Sequence, residues 1–174
     1  ARLAADGRFG ENKMRIYASQ NAPFTIMYDS WKAHSRELVP MTPEEGRQKS
    51  EVILGKVLSN RKPPYSLAGG LFDVLEKSGG DMFKVSNDEI VSWVVKYFSL
   101  EGYDLFPASA CAVSSLKQAL DAGIVKHDET VMLNVTGGGM LGATRKGFIL
   151  KEPDLILSPD LPAEEIIAAV DKLF

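Results

Sequence analysis

The chain has 174 residues, 45% of them hydrophobic, and a formal net charge of −3. This length suits one domain with a substantial core, and the acidic balance with scattered lysines and arginines argues against a nucleic-acid partner. The single cysteine, Cys111, cannot form an internal disulfide, which predicts a reduced, cytoplasmic protein. No apolar run approaches the roughly 20 residues that a membrane helix needs, so we expect no membrane partner.

The first residues, "ARLAADGRFG", have the pattern of the last turns of a helix that ends at Gly7. No capping residue precedes that helix, and the sequence does not begin with Met. We therefore expect a fragment, the C-terminal part of a longer protein.

The first predicted strand runs from Met14 to Gln20, and the pattern of residues 21–38 indicates a loop that passes into a short helix. Thr42, followed by Pro43 and two glutamates, predicts a helix start, and that helix should end near Leu58. The next segment, "SNRKPPYS", should be irregular because its two prolines lack amide donors.

The remaining segments alternate between helices and strands. In order, the pattern predicts a helix from Ser66 or Leu67 to about Lys77, a strand "DMFKVS", a helix capped by Asn87 that ends near Leu100, a helix from Pro107 to Gly123, a strand "TVMLNV", a short strand "PDLIL" and a closing helix "PAEEIIAAVDKLF". Short apolar strands that alternate with longer helices predict an α/β fold with three layers around a mainly parallel sheet.

The helix that begins at Pro107 is crowded with small side chains: Ala108, Ser109, Ala110, Cys111, Ala112, Ser114 and Ser115. Small side chains let a helix approach a neighbouring backbone or a flat ligand closely. Tight packing of this helix on the sheet is the plainer of these two interpretations.

The glycine run after "TVMLNV" has the spacing G-x-G-x-x-G from Gly137 to Gly142, which is typical of a dinucleotide-binding turn. That turn also needs a crossover helix and a second parallel strand with an acidic end about 20 residues on, and Pro153 leaves no room for them. A Walker-type phosphate loop is excluded as well, because Ala143 stands where a lysine is needed.

Two polar side chains remain at the end of the predicted strand, Asn134 and Thr136. Ligands of open α/β sheets bind at the carboxyl edge of the strands, so Thr136 could offer a neutral hydroxyl to the ring nitrogen of a cofactor. The glycines would let a backbone or a ligand come close. The alternative is a tight turn that binds no ligand.

Three segments, "LNVTGGG", "YDLFPASACAVSSLKQAL" and "SNRKPPYSLAGG", resemble the C-terminal part of the fold-type II pyridoxal-phosphate enzymes, in the threonine synthase branch. The resemblance covers nearly the whole chain. It implies a three-layer, mainly parallel α/β fold like that of the tryptophan synthase β subunit, most of it in the large cofactor-binding domain. It also implies pyridoxal 5′-phosphate as the cofactor.

The resemblance assigns Thr136 to the threonine whose hydroxyl faces the pyridine nitrogen in this family. A neutral hydroxyl there leaves the ring nitrogen unprotonated, which favours loss of a β-substituent over competing reactions. The resemblance also implies that the Schiff-base lysine and the phosphate-binding loop lie in an N-terminal part outside this chain. We therefore expect no catalytic residue in the chain and no activity from it alone.

Within the branch, Gly138 favours a methanogen enzyme that makes L-cysteate and phosphate from O-phospho-L-serine and sulfite, on the way to coenzyme M. The alternatives are a threonine synthase that acts on O-phosphohomoserine and a non-catalytic α/β module. Family members are commonly oligomers, so the resemblance also implies a homo-oligomer.

Substrate and nucleophile are both anions in this reaction, so cationic side chains should flank the site. Arg61 and Lys62, in a proline-stiffened loop before a predicted helix terminus, are the expected substrate-binding residues, and a solvated basic pair is the alternative. His34 and His127 have no partner at metal or catalytic spacing, so we expect no metal site. Cys111 should be a small buried side chain rather than a nucleophile.

Overall fold

The computed structural model describes residues 6–7, 10, 13–148 and 151–173. The chain divides into two compact units, Ala1–Gly139 and Met140–Phe174. Gly7 has the left-handed backbone (φ 68°) that the predicted helix end requires. The helix predicted before Gly7 lies outside the described residues.

The first unit contains a small parallel sheet. Strand β1 (Tyr17–Asn21) pairs with strand β2 (Asp81–Val85), with Tyr17 opposite Asp81 and Asn21 opposite Val85. Parallel strands need a long crossover connection, and this one contains helices. The predictions of strands at "MRIYASQ" and "DMFKVS" are thus confirmed.

Helices account for most of the regular structure in the described residues. They are α1 (Ile26–Lys32), α2 (Pro43–Val52), α3 (Leu71–Ser78), α4 (Asn87–Glu101), α5 (Pro107–Asp121), α6 (Met140–Arg145) and α7 (Ala163–Asp171), with a 3-10 helix at Lys56–Leu58. All but α6 overlap predicted helices, and the 3-10 helix lies at the end of the segment predicted as one helix from Thr42 to about Leu58.

Helix α2 starts where predicted and ends earlier. The Thr42 hydroxyl accepts from the Glu45 N–H at 3.1 Å, and the Glu45 carboxylate accepts from the Thr42 N–H at 2.8 Å, which is a capping box. The helix stops at Val52 rather than near Leu58, because Ile53 takes an extended backbone and buries its side chain in the core.

Helix α4 is capped by Ser86, so the predicted cap at Asn87 is wrong by one residue. Ser86 and Glu89 form the capping box of this helix. The Asn87 side chain instead donates to the Val52 carbonyl at 2.7 Å, at the end of α2. It thereby pairs one of the carbonyls that a helix end leaves without an intrahelical donor.

Helices pack on both faces of the sheet, as the predicted three-layer arrangement requires. Met82 and Phe83 are neighbours in β2, so their side chains point to opposite faces. Met82 packs with Tyr65 and Leu75 on one face, and Phe83 packs with Ala119 of α5 on the other. The small residues of α5 are largely buried, among them Ser109, Ala110, Cys111, Ser114 and Ser115. Tight packing of this helix is therefore confirmed.

The two later predicted strands are absent. Residues 130–136 form no regular structure and pair with neither strand of the described sheet, and Met132 is 83% exposed. Residues 153–157 likewise contain no strand. An apolar segment becomes a strand only where a neighbour supplies N–H and C=O partners. The described sheet is accordingly smaller than the mainly parallel sheet that we predicted.

The second unit contains α6 and α7, and neither helix has a buried residue. Among the helices of the described residues, none combines the length and the apolar character needed for a bilayer crossing.

Candidate functional site

Thr136 is exposed and lies where two grooves of the first unit meet. The first groove has a volume of about 310 Å³ and is lined by Tyr97, Tyr103, Asp104, Leu105 and residues 135–139. The second groove has a volume of about 320 Å³ and is lined by residues 54–57, 106–109 and 136–137. Thr136 and Gly137 therefore border both grooves.

The glycines after Thr136 run against the segment that leads into α5. Two backbone hydrogen bonds join them: the Phe106 N–H donates to the Gly137 carbonyl (3.1 Å), and the Gly139 N–H donates to the Asp104 carbonyl (2.8 Å). Together they make an isolated antiparallel bridge between Leu105 and Gly138. The approach is so close that a Cβ at Gly138 would overlap the Asp104 carbonyl oxygen. Gly138 thus accommodates the chain's own backbone.

A buried side chain also contacts this glycine run. Ser109, in the first turn of α5, is 2% exposed, and its Oγ accepts from the Gly137 N–H at 3.0 Å. Sequence reasoning singled out the run of small residues in α5 but not this bond. The small residues indicated that another segment packs closely on α5, but they did not indicate which serine makes the hydrogen bond.

The wall of the second groove is fixed by a buried amide. Asn21, at the end of β1, is fully buried, and its Oδ1 accepts from the Gly55 N–H at 2.9 Å. Its Nδ2 donates to the Val85 carbonyl at 3.0 Å and to Asn87 Oδ1 at 3.1 Å. Sequence reasoning missed this role, although a polar residue at the end of a buried strand was a usable signal.

Lys56 is the charged residue among those that line the second groove. Its ammonium group donates to the Ser50 carbonyl at 2.7 Å and to the Glu51 carbonyl at 2.6 Å, in the last turn of α2. A cation is favourable there because the carbonyl end of a helix carries partial negative charge.

The predicted substrate-binding residues Arg61 and Lys62 line neither groove. The Arg61 side chain lies along α2, where a Cβ on Gly46 would stand 2.9 Å from Arg61 Cγ. Lys62 is exposed, and its N–H donates to Asn60 Oδ1 at 2.9 Å. The helix whose N-terminus was expected directly after this pair begins only at Leu71.

Cys111 is fully buried in α5, and burial raises the pKa of its thiol to about 11. The thiol is therefore protonated near neutral pH, and the expectation of a small buried side chain is confirmed. His34 and His127 are exposed. In the part of the chain that the structure describes, no three His, Cys, Asp or Glu side chains come together as a metal site.

No family model matches the chain. Curated relatives do match it. A cysteate synthase of Methanosarcina acetivorans is 39% identical over 168 residues, which are 95% of this chain and 40% of that protein. A cysteate synthase of Methanocella paludicola is 38% identical over 172 residues, 97% of this chain and 40% of that protein. A third, of Methanoculleus marisnigri, is 43% identical over 139 residues, 79% of this chain and 32% of that protein.

These relatives are enzymes, and the α/β chain with its two grooves is a homologue of part of an enzyme. The chain is a homologue of cysteate synthases, which it matches along 79–97% of its own length. It spans about 40% of the length of the first two of these relatives.

Proposed function

We propose that this chain is the C-terminal portion of a pyridoxal-phosphate enzyme that makes L-cysteate and phosphate from O-phospho-L-serine and sulfite. The similarity to cysteate synthases along 95% of the chain carries this proposal. The covalent lysine and the phosphate-binding loop would belong to the remaining portion of the enzyme. This chain would then contribute the surface that meets the ring of the cofactor.

The residues at the two grooves fit that ring. Thr136 is exposed, and its hydroxyl makes no hydrogen bond with the described residues, so it is available to a ligand. A hydroxyl is a neutral partner for a pyridine nitrogen, and residues 137–139 present backbone without side chains beside it. Bound pyridoxal phosphate supplies the electron sink that lets a β-substituent leave and a nucleophile add.

Replacement of Thr136 by Val tests the cofactor contact. The change removes the hydroxyl at nearly constant volume and should weaken pyridoxal phosphate binding or turnover by roughly 1–3 kcal/mol in the full-length enzyme. Thr130→Val is the matched control, because Thr130 is an exposed threonine on the same segment outside both grooves. Equal cofactor dissociation constants and equal turnover for the two variants would remove Thr136 from the cofactor site.

Thr136→Asp tests the same contact through charge. A carboxylate beside the ring nitrogen would favour its protonated form and so strengthen the electron sink. We expect a changed visible spectrum of the bound cofactor and a larger share of side products relative to L-cysteate. A spectrum and product ratio equal to wild type would contradict a ring-facing position for residue 136.

A product assay on the full-length enzyme tests the substrate. The enzyme is offered O-phospho-L-serine with sulfite, and separately O-phosphohomoserine with water. We expect L-cysteate from the first pair and no threonine from the second. Threonine without cysteate would overturn the proposed reaction in favour of a threonine synthase.

We propose that Arg61 and Lys62 bind the anionic substrates. Because both residues lie outside the two grooves, Lys56, which lines the second groove, is tested beside them. Arg61→Ala should raise the KM for phosphoserine about tenfold through loss of a contact with its phosphate, or the KM for sulfite through loss of a contact with sulfite. Lys56→Ala, measured in parallel, tests whether the ammonium group at the second groove contacts the anion instead. Unchanged KM in Arg61→Ala with a raised KM in Lys56→Ala would move the anion contact to Lys56.

A further inference from the structure

The glycine run is joined to α5 by one side chain as well as by backbone. Ser109 Oγ accepts from the Gly137 N–H at 3.0 Å, across 28 positions of sequence. Ser109 is 2% exposed, so water does not readily replace it as the acceptor. Its contact is with the residue directly after Thr136.

Because the peptide bond is planar, the hydrogen bond to Gly137 also restricts the backbone of Thr136. The six atoms from the Thr136 Cα to the Gly137 Cα lie in one plane, and the Gly137 N–H is part of it. A hydrogen bond to this N–H therefore orients the plane and limits the directions open to the Thr136 side chain.

The chain just before Thr136 packs Leu133 against the core but supplies no hydrogen bond among the described residues. Within the described part of the molecule, residues 131–136 make no hydrogen bond of their own. The hydrogen bonds that orient the backbone at Thr136 thus lie on its C-terminal side, in the backbone contacts of residues 137–139 and at the Ser109 hydroxyl. Of these, only the hydroxyl can be removed by a side-chain substitution without a change of backbone.

We propose that Ser109 is a positioning residue, which holds the Thr136–Gly137 peptide so that the Thr136 hydroxyl faces the ring of the cofactor. This inference rests on the proposed function of Thr136. It gives the small-residue run of α5 a second role beside packing.

The first measurement needs no cofactor. Ser109→Ala removes the acceptor and leaves a good helix former, so α5 should stay folded. In the full-length protein, amide exchange at Gly137 should become roughly three- to tenfold faster in Ser109→Ala, because a neutral hydrogen bond contributes a modest protection.

Ser115→Ala is the matched control. Ser115 is also buried in α5, and its hydroxyl donates to the Cys111 carbonyl at 2.8 Å, within the helix. Loss of this hydroxyl should leave the Gly137 exchange rate unchanged.

The second measurement uses pyridoxal phosphate. Its dissociation constant and visible spectrum are recorded for the full-length protein with Ser109→Ala, Ser115→Ala and Thr136→Val. We expect Ser109→Ala to weaken binding about threefold to tenfold and to shift the spectrum in the direction of Thr136→Val, with Ser115→Ala equal to wild type.

The outcomes separate the inference from the proposed function. Equal Gly137 exchange in Ser109→Ala and wild type would overturn the inference. Faster exchange with unaltered cofactor binding would also overturn it, provided that Thr136→Val weakens binding. If Thr136→Val itself leaves both binding and spectrum unchanged, the cofactor role of Thr136 fails, and the inference fails with it.

Discussion

Two five-residue segments of this chain have the same kind of sequence and different structures. Asp81–Val85 ("DMFKV") is β2, paired along its length with β1 and packed on both faces. Residues 131–135 ("VMLNV") are at least as apolar, but they form no strand, and most of them are exposed. β-rich composition therefore makes a segment able to pair, and the presence of a neighbouring strand decides whether it does.

The methionines at the second position of each segment give the largest expected difference. Met82 is 1% exposed and Met132 is 83% exposed. Met82→Ala should lower the free energy of unfolding of the chain by about 2–4 kcal/mol, because it leaves a cavity in the core. Met132→Ala should change it by less than about 0.5 kcal/mol. Denaturant unfolding measures both, and equal losses would show that residues 131–135 are packed in solution.

Two asparagines give a second comparison: Asn21 is the last residue of β1, the partner of β2, and Asn134 lies within residues 131–135. Asn21→Ala removes the buried partner of the Gly55 N–H, which should cost roughly 1–3 kcal/mol. Asn134→Ala changes an exposed residue and should be close to neutral. Thermal or denaturant unfolding compares them. A neutral Asn21→Ala would mean that the wall of the second groove does not depend on the amide.

Backbone hydrogen bonds fix the chain at the glycine run, directly after the exposed residues 131–135. Substitutions of two of these glycines test the close approach of the two backbones. Gly139→Ala should destabilise the run locally by about 1 kcal/mol, because its backbone is left-handed (φ 78°) in otherwise open space. Gly138→Ala should disturb it more, because its Cβ would also overlap the Asp104 carbonyl. Amide exchange at Phe106 reports the loss of its bond to Gly137. The reverse order of effects would contradict the close approach of the two backbones.

The smallest expected effect concerns Glu89, in the first turn of α4, and depends on pH. Burial acts to raise the pKa of Glu89, but hydrogen bonds from Ser86, Gln118 and Ser114 outweigh it and hold this pKa below the usual 4.5. A lowered pKa stabilises the fold above the unfolded value, and this contribution is lost as the pH falls through the folded value.

Glu89→Gln should therefore show a slightly smaller loss of stability than wild type between about pH 5 and about pH 3. Asp88→Asn, at the exposed neighbour in the first turn of α4, is the control. The difference between unfolding free energies at the two pH values is the measurement. An identical pH dependence in Glu89→Gln and wild type would show that these hydrogen bonds do not favour the carboxylate.

Elements that depend only on neighbours along the chain could be predicted from the amino-acid sequence. Capping boxes, proline at the first helical position and apolar periodicity are local patterns, so α2, α4, α5 and α7 could be predicted from them with small errors at their ends. That Thr136 precedes a glycine run is visible in the sequence, whereas the strand predicted to end at Thr136 is absent from residues 130–136.

Other features depend on groups that are far apart in sequence and meet only in the folded chain. They are the absence of strand pairing at residues 131–135, the contact of Ser109 with Gly137, and the hydrogen bond between Asn21 and Gly55. The Ser109–Gly137 bond spans 28 positions and the Asn21–Gly55 bond spans 34. Hydrogen bonds need their partners within about 3 Å, and no local pattern shows which distant segment will come that close.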